Sequence, residues 1–145
     1  MVGSLLYAAT ATRSDIAHAV GVVSKLNSKP TEAHLIAVKR ILRYLKGTVN
    51  LALKYGKTSD RQLIGYSDAD WAGDLDDHHS TTGNLFIMAR GLIDWLSKKQ
   101  GVVALSTSEA EYVALSAATQ EATWLRRLLS DFEREHCYTN SADGR

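Results

Sequence analysis

The 145-residue sequence has a single cysteine, Cys137, a single proline, Pro30, and no apolar run near the length of a membrane span. One thiol excludes an internal disulfide framework, and the five histidines never join a cysteine at zinc-ligand spacing, so structural zinc is excluded too. A spanning helix needs roughly 20 consecutive apolar residues, and the N-terminus has no basic segment followed by a signal-like apolar core. These absences predict a soluble, intracellular protein. A large excess of either charge is also missing, since the formal net charge is +1. The balance hides an asymmetry: residues 1–57 hold nine Lys/Arg against Asp15 and Glu32, a net +7, and the remainder carries −6. Such a split fits a nucleic acid or acidic partner, and equally two differently solvated surfaces.

What is present suffices for one modest core, because 45% of the residues are hydrophobic. Val2, Leu5, Leu6 and Ala9 recur at helical spacing, and so do Ile16, Ala19, Val20, Val23 and Leu26. Ser14 or Thr12 is placed to cap the second helix, which Asn27 and Ser28 end. Pro30 and Thr31 open a third, with Leu35, Val38, Ile41, Leu42 and Leu45 as its apolar stripe and Gly47 at its end. Lys39, Arg40, Arg43 and Lys46 lie off that stripe. They form a candidate nucleic-acid-binding face whose affinity would fall steeply with salt, or an ordinary solvated helix face.

From Leu51 the period shortens. Leu51–Tyr55 is a short strand candidate that could pair with Leu63–Ala69, and the polar stretch 56–61 between them reads as a turn. Gly83–Ala89 and Leu92–Ser97 read as a hairpin linked through Arg90-Gly91. Val102–Leu105 could continue as extended chain before a long helix, about Thr107–Phe132, with Ser106 and Glu109 at capping-box spacing.

Two carboxylates stand out. At 100° per residue, Leu115, Ala118, Ala122, Leu125 and Leu129 fall within about 40° of Glu111, which places Glu111 on the buried stripe unless it caps with Ser108. Strand alternation puts Ile64, Tyr66, Asp68 and Asp70 on one face. If the helix packs on this sheet, Asp68 and Glu111 converge, and the repulsion is relieved by a shared proton or a divalent cation. Magnesium or manganese suits such oxygen ligands, as in two-metal phosphodiester cleavage, but glycosidic acid/base chemistry also uses two carboxylates. Asp74, Asp76, Asp77, His78 and His79 read as a solvated loop, and Trp71, Trp95 and Trp124 as packing residues.

The runs VGSLLYAATATRSDIAHAV, TEAHLIAVKRILRYLKGT, GYSDADWAGD, STTGNLFIMARGLIDWLSKKQ and ALSTSEAEYVALSAATQEATWLRRLL occur in this order over Val2–Ser130. Together they closely resemble the Pol polyprotein of Copia-type LTR retrotransposons. The resemblance implies that residues 1–57 correspond to a helical thumb-and-connection-like end of reverse transcriptase, whose polymerase aspartates would lie upstream of Met1. It implies that 58–132 is a partial ribonuclease H-like domain, three antiparallel strands packed by a long helix in a mixed α/β (α+β) chain. That enzyme cuts the RNA strand of RNA–DNA hybrids with two Mg²⁺ ions. Asp68 in YSDAD then matches the first catalytic aspartate and Glu111 in SEAEY the helix glutamate, both metal ligands, with Asp70 a neighbour that adds negative field.

The tail DFEREHCYTNSADGR departs from the family, which continues with a strand carrying an Asp-Asn pair and then a fourth acidic residue. The expectation is therefore a truncated domain with a divergent, disordered segment at 133–145, weak Mg²⁺ or Mn²⁺ binding, and little nuclease activity in this chain alone. The family sheet has five strands, with the first between the second and the fourth. Without the fourth, the strand bearing Asp68 is an exposed edge, open to self-association. Expected partners are an RNA–DNA hybrid or other nucleic acid, the rest of a Pol polyprotein or a second copy, and no membrane. The expected location is cytoplasmic, in a virus-like particle, or nuclear. The alternative is a non-catalytic module that binds nucleic acid or protein.

Overall fold

A computed structural model describes residues 1–27, 29–57, 62–74 and 76–142, with side chains as far as residue 132. The expected helix end at Ser28, most of the turn at 56–61 and the boundary at 58 lie outside the described residues. The elements in chain order are α1 (Val2–Ala11), a 3₁₀ turn (Ser14–Ile16), α2 (Ala17–Ser24), α3 (Glu32–Gly47), β1 (Ile64–Asp70), β2 (Thr81–Met88), β3 (Gly91–Lys99) and α4 (Thr107–Ala142).

The helical spacing of the first segment makes its own core. Leu5, Ala9, Ile16, Val20, Val23, Val38 and Ile41 meet in one buried cluster where α1, α2 and α3 pack. Neither Thr12 nor Ser14 caps α2, because Ser14 falls inside the 3₁₀ turn that feeds it. Thr31 does precede α3, and its backbone N–H donates to His34 Nδ1 at 2.9 Å. Arg13 fastens the module. Its guanidinium donates to both Asp15 oxygens at 2.9 and 2.7 Å and to Thr48 Oγ1 at 2.7 Å, while the Tyr44 hydroxyl donates to Asp15 at 2.8 Å.

No strand forms over Leu51–Tyr55, which is irregular and mostly exposed. A strand needs a sheet edge to satisfy its backbone, and this segment is anchored through one side chain instead. The Tyr55 hydroxyl donates to the Leu92 carbonyl at 2.7 Å, and its ring fills the place a Cβ on Gly91 would occupy. Gly91 is therefore the first residue of β3 and no part of the hairpin link. The link is Ala89-Arg90, whose φ values of 53° and 64° make the left-handed pair that a two-residue hairpin requires.

The sheet is antiparallel in the order β1-β2-β3, with Asp68 opposite Gly83 and Tyr66 opposite Leu85. Its second core is smaller: Phe86 packs with Ala118 and Leu125 of α4, flanked by Leu63, Ile93 and Ala122. The buried line of α4 runs through Ala110, Ala114, Ala118 and Leu125. It is rotated from the line read in the sequence, so Glu111 is exposed and Leu115 is 54% exposed. Alanine is the reason, since its small side chain lets the helix approach the strands closely, whereas a hydropathy count gives leucine more weight. The helix also continues through Ala142, so the residues expected to begin a disordered tail start as helix. No glycine or proline interrupts the chain between Thr107 and Asp143.

Candidate functional site

β1 is an edge strand, paired with β2 alone among the described residues, as expected. Successive side chains of a strand point to opposite faces. Phe86 marks the face covered by α4, and its partner Gly65 places Ser67 and Ala69 there as well. Tyr66, Asp68 and Asp70 point the other way. Asp68 is exposed, accepts the Ala69 N–H at 3.0 Å, and lines a cavity of about 500 Å³ together with Asp15, His18 and Trp95. Glu111, in the second turn of α4, lines a separate hollow with Ser67, Thr107, Ser108 and Tyr112.

The two carboxylates are thus near one strand but on its two sides, and Ser67 is the residue that both hollows share. The structure does not bring Asp68 and Glu111 together on one face, because strand alternation turns Asp68 to the side of β1 away from α4, the helix that carries Glu111. Among the described residues no group of three or more His, Cys, Asp or Glu could hold a metal ion. Glu111 does not cap with Ser108 either. The helix start is held by Glu109, whose N–H donates to Ser106 Oγ at 3.2 Å and whose carboxylate accepts the Leu105 N–H at 2.7 Å.

The acidic loop after β1 is exposed at Asp76, Asp77 and His78, as expected of a solvated loop, and it is also tied to its surroundings by hydrogen bonds and ion pairs. Asp70 accepts the Thr81 N–H and so closes the loop onto β2. Asp74 Oδ2 accepts from Lys25 Nζ at 3.0 Å and Lys99 Nζ at 2.7 Å, and Lys99 also pairs with Asp77. The Lys99 and Lys25 ammonium groups hold the Asp74 carboxyl well below its ordinary range, and Lys99 lowers Asp77. Their carboxylates raise Lys99 in turn. Near neighbours in sequence could not reveal this cluster, because Lys25 is 49 residues from Asp74 and Lys99 is 25. His79 Nδ1 lies 2.8 Å from the Gln100 carbonyl oxygen, a backbone contact in place of a ligand role.

Lys39, Arg40, Arg43 and Lys46 are all exposed on α3, and among the described residues none is engaged in an ion pair. The tryptophans differ from one another. The Trp95 N–H donates to the Ala9 carbonyl and the Trp71 N–H to the Ala104 carbonyl, whereas Trp124 is 55% exposed and outside both cores. No described helix is long and apolar enough to cross a membrane.

Fold and site together define a mixed α+β protein in which a basic helical module adjoins a small sheet with open carboxylates. Over about 90% of its length the chain is homologous to Copia-type retrotransposon Pol polyproteins. It is 54% identical to the Pol polyprotein of transposon TNT 1-94 from Nicotiana tabacum over 90% of its own length and 10% of that protein's. Against the Pol polyprotein of transposon RE1 from Arabidopsis thaliana the figures are 47%, 90% and 9%. The chain therefore spans about a tenth of those polyproteins. A relative of its own size also exists: the secreted RxLR effector protein 161 of Plasmopara viticola is 51% identical over 86% of this chain and 87% of that one. No protein-family profile matches the chain. No solved structure matches it.

Proposed function

We propose that this chain is the Pol segment that joins the helical end of a reverse transcriptase to the first half of a ribonuclease H-type site, and that it does not cleave by itself. The observation that carries this reading is that Asp68 on the free-edge strand and Glu111 on the helix packed against that same strand flank β1, both exposed and, among the described residues, neither in an ion pair. They do not make a metal cage among the described residues, since each side of β1 offers one of the two carboxylates. Mg²⁺ or Mn²⁺ accordingly binds weakly, through Asp68 or Glu111 singly, and no cleavage step is derived from it. Pairing of β1 with a further strand, from the rest of a Pol polyprotein or a second copy, is the route to a completed site.

The test is incubation of the chain with a labelled RNA–DNA hybrid in Mg²⁺ and in Mn²⁺. No cleavage is expected; cleavage that disappears in both Asp68→Asn and Glu111→Gln would overturn the inactive reading.

A second reading is favoured by the size-matched relative, a protein named as a secreted effector rather than as a polyprotein. In it the chain is a non-catalytic module that binds a phosphate backbone through Lys39, Arg40, Arg43 and Lys46. Binding to the hybrid without cleavage, with a log–log salt slope that falls by about 0.9 for each of Lys39→Ala and Arg43→Ala, supports this module. A slope unchanged in both variants removes α3 as the binding face.

A further inference from the structure

The cavity beside Asp68 has a construction that the nuclease reading does not use. Its floor is two cross-strand rows on one face of the sheet. One row is Tyr66, Leu85 and Trp95; the next is Asp68, Gly83 and Ser97. Gly83 sits in the central strand, where glycine weakens a sheet and often marks a close approach by another group. Its backbone does not demand glycine, as its φ is not positive, and an added Cβ would meet only the Asp68 carbonyl oxygen at 3.9 Å. The missing side chain therefore opens the floor instead of relieving a clash. The opposite wall is the 3₁₀ turn and the start of α2, including Asp15 and His18. The Trp95 ring is fixed by its N–H bond to Ala9.

Charge selects the occupant. Asp15 and Asp68 line the cavity, and among the described residues no lysine or arginine does. Arg13 already neutralises Asp15, whereas Asp68 has no cationic partner among the described residues. A cavity of this size with mostly apolar walls and one free carboxylate fits a small planar molecule that carries positive charge.

We infer that the cleft over Gly83 is a binding site for a planar aromatic cation, seated beside the Tyr66–Leu85–Trp95 row with Asp68 as its counter-ion. The site goes beyond the nuclease reading and does not depend on it, since its occupant contacts neither Glu111 nor α4.

Proflavine, a planar aromatic cation, is the probe, and its fluorescence polarisation is followed as the full chain is added at low ionic strength. The anionic aromatic 1-anilinonaphthalene-8-sulfonate is the charge control. Saturable proflavine binding is expected, with affinity lowered about tenfold in Asp68→Asn and abolished in Gly83→Leu, whose side chain occupies the gap. The thermal midpoint of Gly83→Leu is measured alongside. If that variant does not fold, Asp68→Asn, an exposed change on the edge strand, carries the test alone. Equal affinity for the anionic probe, wild-type affinity in Asp68→Asn, or undiminished binding in folded Gly83→Leu overturns the assignment.

Discussion

Trp95 Nε1 donates to the Ala9 carbonyl at 2.8 Å, across 86 residues of sequence. Ala9 lies in the last turn of α1, where backbone carbonyls have no intrahelical donor, so an indole from β3 completes the end of a helix in the other core. Trp95→Phe keeps a ring in place and removes the donor. It is expected to lower stability by about 1 kcal/mol in urea titration. Loss of the bond should also let α1 amides exchange with solvent faster than β2 amides, which hydrogen exchange would resolve.

The Lys25–Asp74–Lys99 cluster ties α2, the β1–β2 loop and β3 together. Asp74 is lowered in the folded chain, so its contribution is fully present above the unfolded carboxylate value of about 3.9 and is lost as pH falls through the lower folded value. Lys99 is raised, so its contribution is present below about 10.4 and is lost as pH rises through the higher folded value. The urea midpoint of Asp74→Asn should fall below that of the wild type by a constant interval near neutral pH. The interval should narrow once pH drops below about 4, and added NaCl should shrink it.

Gly65 lies opposite Phe86, and a Cβ on it would stand 2.6 Å from Phe86 Cε1. Gly65→Ala therefore pushes the largest side chain of the second core off its seat. A loss of about 1–3 kcal/mol is expected from such overpacking. Phe86→Leu in the same background should recover part of it, and additive losses in the double variant would rule out this contact as the cause.

Ala89 and Arg90 hold left-handed φ values with side chains that disfavour them, at about 1–2 kcal/mol per residue. Replacing the pair by Asn-Gly should raise the unfolding free energy by about 1–2 kcal/mol while leaving the register of β2 on β3 unchanged. Thermal unfolding measures the gain, and cross-strand contacts between Leu85 and Trp95 in NMR check the register.

Local patterns were legible in the sequence where local physics decides them. Helical spacing located α1, α2, α3 and α4, alternation located β1 to β3, and the exposed basic band of α3 follows from the side of the helix left free by Val38 and Ile41. The strand expected at Leu51–Tyr55 failed because strand propensity does not supply a pairing partner. The hairpin link was misplaced by one residue because Gly91 looks like a turn glycine, when Tyr55 is what requires it. The rotation of α4 was hidden by the small size of Ala110 and Ala114, and which face of β1 the helix covers, the one away from Asp68, was not legible at all.

By itself the sequence determined most of the segments that form helices and strands and the retrotransposon polyproteins the chain resembles. Periodicity and motif order are properties of neighbouring residues, and they survive without knowledge of the fold. Only the tertiary structure decided that the two carboxylates flank β1, that Asp74 is gripped by Lys25 and Lys99, and that Gly83 opens a cleft beside Asp68. Each of these depends on the angle at which one element meets another, and that angle is set by close packing between residues far apart in the chain.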